Sequence, residues 1–295
     1  MNRFVTLLAA GAALAATTAP ADAKVKIDYW YGLGGYLGEQ VQATCDRFNA
    51  AQDEYEIVCT GQGGYSNAVQ NTIAAFRAGK HPTIVQAYDA GTADLMMSGE
   101  FYPAYKLMAD HGIDIDWNNY FPGIANYYAA SDGRMFSFPF NSSTPMLYFN
   151  KDAYKTIGRT KPVETWEEFA EVNRQLKAAG HECPWGYSLS TWIDLEQFSM
   201  AHGVPVASNN NGYDGLDSEL LFNTTLHAQH MKNIKGWLDE GLAVLKTRAG
   251  GMTTRDAFAN GICAHYFGSI ASHAAVHAGA ADGLNWDVTM IPVYE

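Results

Sequence analysis

Apolar and polar positions along the chain switch between two periods. Val25, Ile27, Tyr29 and Tyr31 alternate with Lys26, Asp28 and Trp30, which predicts a strand. The turn Gly32-Leu33-Gly34-Gly35 leads into Leu37, Val41, Cys45 and Phe48, spaced as one face of a helix. A strand is predicted over Tyr55–Thr60. After Gly61-Gln62-Gly63-Gly64 comes a helix with Val69, Ile73 and Phe76 on one face, stopped by Gly79. Thr83 to Tyr88 reads as a third, more buried strand. Strand-helix alternation of this kind builds a largely parallel sheet.

A second half begins near Phe138–Asn150, where Pro139 and Pro145 bracket the polar bend Asn141-Ser142-Ser143-Thr144. Thr165 and Glu168 form a capping box, in which each side chain satisfies a backbone N–H that the first helical turn leaves open. Gly180 closes that helix. The polar loop Ser208–Gly215, a helix from Thr224 to Glu240 and a helix-turn-strand over Asp256–Tyr266 follow. Trp286 to Tyr294 reads as a last strand. The sequence ends one residue later at Glu295, and the chain is expected to be a C-terminally truncated fragment.

The opening residues add an address. Arg3, the apolar and small run from Phe4 to Ala16, and Ala21-Asp22-Ala23 form the order of a secretory signal peptide, cleaved after Ala23. The run is too short to span a bilayer, and no later stretch reaches eighteen apolar residues. A cleaved chain starting at Lys24 is expected in the periplasm. Net charge is −12 and loses one Arg and one Asp on cleavage, so it stays unchanged and argues against nucleic acid as partner. In an oxidising compartment Cys45, Cys59, Cys183 and Cys263 allow two disulfides in three connectivities. Cys45 with Cys59 would tie a helix to the next strand, and Cys183 with Cys263 would close a long loop.

Catalytic signatures are missing from this sequence: it holds no GxSxG, HExxH, Walker A or GxGxxG spacing. The nearest constellations are His265, His273 and His277 beside Ser269 and Ser272, and the carboxylates Asp214, Asp217 and Glu219; neither has a diagnostic spacing. Binding chemistry is better represented. Tyr65 follows a glycine turn and Asp89 follows a strand, where ligand contacts of open α/β sheets lie. The Asn141–Thr144 bend and Gly268 to Ser272, after a strand over Ala264–Phe267, add hydroxyls and backbone N–H groups suited to anions or sugar hydroxyls.

Gly64-Tyr65, Gln86 to Ala93, Pro139 to Pro145, Tyr148 to Asp152, Thr165-Trp166 and Asn209 to Gly215 together resemble the glycerol-3-phosphate binders within family 1 of the extracellular solute-binding proteins of ABC importers. The resemblance spans the mature chain. It implies an α/β, two-lobed periplasmic-binding-protein-like (type II) fold with a hinge. The expected parts are a signal peptide over 1–23, lobe I over 24–141 with 285–295 returning to it, and lobe II over 142–284. It implies capture of sn-glycerol-3-phosphate or a glycerophosphodiester such as glycerophosphocholine and delivery to an inner-membrane ABC permease; from the missing motifs no cofactor and no catalytic or metal site is expected, and a monomer is the default. Carried over by position, Tyr65 would contact the phosphate region, Asp89 the glycerol hydroxyls, and Ser143, Gly268, Ser269 and Ser272 would donate to the ligand. The group commonly has Glu where this chain has Asp89. It also carries two tryptophans three apart where this chain keeps Trp192 but has Leu189, which would remove a stacking wall and enlarge the cleft for a diester. The group's phosphate-binding arginine is expected beyond Glu295. A sugar receptor of the same family is the alternative, and a periplasmic phosphodiesterase the reading from another class.

Overall fold

The computed structural model describes residues 23–125, 127–130, 132–245 and 251–295, without the side chains of Asp89, Ala90, Ala93 and Ala125. Residues 1–22, all but the last of the expected signal peptide, lie outside the described residues. The chain divides into two compact units at Ser98/Gly99. This division differs from the lobe boundary expected at 141/142; within the second unit the Ala104 N–H donates to the Phe136 carbonyl and the Tyr105 N–H to that of Met135.

In the first unit, β1 (Val25–Tyr31) lies between β2 (Tyr55–Gly61) and β3 (Ile84–Val85), all parallel. Tyr29 and Tyr31 are buried on one face of β1, against Val41 and Cys45 of the helix Gly35–Ala51. A Cys45–Cys59 disulfide fastens that helix to β2. The outer edge of β2 is dressed by side chains. Asn49 accepts from the Ile57 N–H and donates to the Ile57 carbonyl, both at 2.8 Å, and Gln52 does the same for Tyr55 at 2.7 and 2.9 Å. Such pairing blunts an edge that would otherwise recruit another strand. The apolar face read from the sequence is wider than the buried one, since Phe48 and Phe76 are 42% and 40% exposed.

The predicted strand over 83–88 shortens to two residues, and Ile84 is exposed rather than buried. After pairing with Trp30, the chain turns so that the Gln86 side chain accepts from the Gly32 N–H at 2.9 Å. That bond draws Gln86 inward and ends the ladder.

The second unit holds a five-stranded sheet in the order β6-β5-β7-β4-β8, with β4 Pro145–Asn150, β5 Trp185–Tyr187, β6 Ala243–Leu245, β7 His265–Ser269 and β8 Trp286–Met290. β6, β5 and β7 run parallel, and β4 is antiparallel to both of its neighbours. The C-terminal segment expected to return to the first lobe is thereby corrected: β8 pairs with β4 from Met146↔Met290 to Asn150↔Trp286. Trp286 and Val288 explain the choice, because they cover Tyr148 and Phe258 on one face of this sheet.

Both faces of β4 are covered. Leu147 and Phe149 point into a cluster with Trp166, Phe169, Leu176, Trp185 and Trp237, while Tyr148 packs on the other side with Phe258, Tyr266 and Val276. A strand buried on two sides reads as a continuous apolar run, which Met146-Leu147-Tyr148-Phe149 is. A Cys183–Cys263 disulfide joins the segments entering β5 and β7, so the structure selects one of the three connectivities.

Candidate functional site

Two parallel strands of the second unit end beside one another and open a cavity of about 310 Å³. β5 and the residues after it supply Trp185, Tyr187, Ser188 and Ser190; β7 and its continuation supply Tyr266, Gly268, Ser269 and Ser272. The floor between them comes from Trp192, Ile193 and Asp194, with Thr254 alongside. This is the carboxyl-end crevice where open α/β sheets bind ligands.

Local chemistry explains how the cavity is shaped. Ser190 caps a wide helical turn over Trp192–Gln197, its hydroxyl accepting from the Ile193 N–H at 3.3 Å. Asp194 reaches back to accept from the Ser190 N–H at 2.8 Å, a capping box lengthened by one residue. Wide turns of this type recur at functional sites because they re-aim side chains. The Tyr187 hydroxyl, 3.3 Å away, donates to the same Asp194 oxygen, Oδ2. Asp194 is only 5% exposed, and burial pushes its carboxyl up to about 6 against the two bonds that favour the charge.

On the β7 side a chain of hydroxyls rims the cavity. Ser269 donates to Ser143 at 2.9 Å, and Tyr266 and Ser272 share a hydrogen bond at 3.2 Å. Gly268 belongs to the strand rather than following it, and it has a steric duty: a Cβ there would lie 2.1 Å from the Tyr266 hydroxyl. Only a glycine lets the tyrosine ring fold along its own strand toward Ser272.

The predicted site residues thus divide. Ser143, Trp192, Gly268, Ser269 and Ser272 come together in or beside this cavity. Leu189 does not line it and is 67% exposed, so the structure places it at the surface next to the cavity wall. Tyr65 and Asp89 belong to the first unit, where Tyr65 opens the helix Tyr65–Arg77 and Asp89 the helix Asp89–Ser98. Tyr65 stacks on Tyr88 at 5.6 Å with the rings nearly parallel, and Ser66 shares a hydrogen bond with the Tyr88 hydroxyl. Gly32 permits this arrangement, since a Cβ would sit 2.7 Å from the Tyr65 backbone.

Sequence reasoning missed Asp194. It weighed Asp214, Asp217 and Glu219, which lie on an exposed loop. The available signal was a carboxylate set four residues after a capping serine inside an aromatic stretch. His265 is fully buried in the core, with Nε2 2.8 Å from the Tyr154 hydroxyl and Nδ1 3.0 Å from Asn173 Oδ1, and burial holds its pKa down near 3. Among the described residues no hydrogen bond joins a histidine to Ser269 or Ser272, and no group of three or more His, Cys, Asp or Glu side chains is arranged to hold a metal.

Comparison with known proteins adds a lineage to this geometry. Residues 43–294 match the family of bacterial extracellular solute-binding proteins. The sn-glycerol-3-phosphate-binding periplasmic protein UgpB of Yersinia pestis is 40% identical over 278 residues, 93% of this chain and 62% of that protein. This chain accordingly spans less than two thirds of the length of that relative. Among solved structures, UgpB from Mycobacterium tuberculosis in complex with glycerophosphocholine superposes with a TM-score of 0.74 at 21% identity, over 92% of this chain and 68% of that one. The sugar-binding protein MalE from Xanthomonas citri gives 0.72 at 18%, over 91% and 66%. These likenesses establish the two-lobed α/β fold of solute-binding proteins.

Proposed function

Because this chain belongs to the bacterial extracellular solute-binding proteins, we propose that it is the periplasmic receptor of an ABC importer, capturing glycerol-3-phosphate or a glycerophosphodiester and delivering it to a membrane permease. The observation that carries the reading is the crevice at the carboxyl ends of β5 and β7, where serine hydroxyls face an aromatic wall. Hydroxyls suit the polar groups of a glycerol ester, and rings suit its apolar edges. The relative named for sn-glycerol-3-phosphate points the same way. Tyr65 and Asp89 are proposed as the first unit's contribution, Tyr65 toward the phosphate and Asp89 toward the glycerol hydroxyls. Leu189 is proposed to admit the larger diester by leaving the rim without a second indole.

Calorimetric titration of the protein over its full natural length, including any residues that follow Glu295, with glycerol-3-phosphate, glycerophosphocholine and maltose tests this. Saturable binding of a glycerophosphate compound and none of maltose is expected; binding of maltose alone would favour the sugar receptor. Release of free choline during incubation would instead reveal a phosphodiesterase. Export is tested by N-terminal sequencing of the periplasmic fraction, where the reading requires a chain beginning at Lys24.

A further inference from the structure

The cavity of the second unit carries a charge pattern that a phosphate does not explain. Among the described residues its side chains include one carboxylate, Asp194, and no lysine or arginine. A phosphate seated there would meet a negative charge in a site partly screened from water, which is unfavourable. Aromatic residues make up much of the rest, with Trp185, Tyr187, Trp192 and Tyr266 in the lining. Rings around a carboxylate are the surroundings in which organic ammonium groups are held, by cation–π attraction and ion pairing.

Asp194 is placed for this work. Both of its protein hydrogen bonds fall on Oδ2, from the Ser190 N–H and the Tyr187 hydroxyl, and among the described residues no donor reaches Oδ1. The side chain is more than nine-tenths buried and lines the cavity. A structural cap would be served by Oδ2 alone, and an uncharged residue would serve it as well.

We infer that Asp194 is a specificity-determining residue whose free carboxylate oxygen receives the ammonium end of a zwitterionic glycerophosphodiester, with the aromatic wall enclosing the same group. The inference rests on the proposed receptor function and names the end of the ligand that this cavity takes. A primary ammonium, as in glycerophosphoethanolamine, donates an N–H directly to Oδ1. A quaternary ammonium, as in glycerophosphocholine, lacks that donor and is held by charge and ring faces.

The test is calorimetry on the wild-type protein over its full natural length, including any residues that follow Glu295, and on Asp194→Asn in the same chain, at pH 7.5 with three ligands: glycerophosphoethanolamine, glycerophosphocholine and glycerol-3-phosphate. Asn keeps an acceptor for Ser190 and Tyr187 while removing the charge. Affinity for the two diesters is expected to fall about tenfold, more for the primary ammonium, while affinity for glycerol-3-phosphate stays level or rises. An equal change for all three ligands would show a purely structural role and overturn the inference while leaving the receptor reading intact. No binding of any ligand by the wild type would overturn the receptor reading, and the inference with it. Circular dichroism of the variant separates loss of fold from loss of charge, because a folded variant with unchanged diester preference overturns the inference directly.

Discussion

At the scale of single residues, burial decides what the carboxylates and imidazoles of the second unit can do. Asp194 is held in a place that disfavours its charge, with its pKa raised to about 6. The sign follows. A carboxyl with a raised folded value costs nothing below its unfolded value near 4 and its full penalty above 6, about 3 kcal/mol for a shift of two units. Asp194→Asn should therefore stabilise the protein at pH 7.5 by about 1–2 kcal/mol, since the amide still pays some desolvation, and have little effect at pH 4. Urea denaturation at the two pH values checks this; equal effects at both would show that charge is not the cause. Little of this was readable in the sequence. Ser269 and Ser272 were found because hydroxyls after a strand are a local signal, whereas Asp194 acquires its role from Tyr187 and Ser190 folding around it. Leu189, read as the loss of a stacking ring, lies exposed beside the cavity, because spacing along a chain does not say which side of a turn faces inward.

At the scale of elements, strand and helix periods carried the reading and their ends did not. The helices Gly35–Ala51, Tyr65–Arg77 and Leu226–Asp239 follow their apolar spacing, and Thr165 caps the helix Trp166–Ala178 as the motif predicts. The reciprocal half of that cap slips by one residue. Glu168 accepts from the Glu164 N–H at 2.9 Å and pairs with Arg159 at 3.0 Å, and the two hold its carboxyl below the usual range. A long-range arginine, invisible to a local motif, shares control of the side chain. The polar loop holds a rarer feature: Asn209, Asn210 and Asn211 all have left-handed backbones, with φ of 51°, 53° and 55°. Asparagine tolerates this conformation better than other residues that carry a Cβ. Asn210→Ala should cost about 1 kcal/mol and Asn210→Gly should not. Thermal unfolding of the pair checks it, and an alanine variant as stable as the glycine one would show that the loop has another conformation in solution.

At the scale of the molecule, the sheet order and the fate of β8 depended on contacts far apart in sequence. The chain offered two halves of strand and helix, but not that Trp286 would cover Tyr148 and draw β8 onto β4. The same long-range packing sets the response to acid. His230 and His265 are buried with pKa values lowered to about 3, so the unfolded chain takes up protons that the folded one refuses. Stability from these two is complete above pH 6.5 and is lost as pH falls through that value toward 3, at up to about 2.7 kcal/mol per pH unit. Asp194 works the other way between 6 and 4, returning up to about 1.4 kcal/mol per unit, so the histidines win. The urea midpoint is expected to fall steadily between pH 7 and 4.5, and to fall more steeply in Asp194→Asn. A flat profile over that interval would mean that these imidazoles are protonated in the native state.

Trp192 stands at the cavity outside the core cluster, whereas Trp166, Trp185 and Trp237 belong to that cluster. Emission from Trp192 responds to what enters the crevice, and emission from the other three responds to whether the core is intact. Substituting Trp192 alone would separate the two signals, so the protein carries an optical gauge for ligand entry and another for unfolding, with no dye attached.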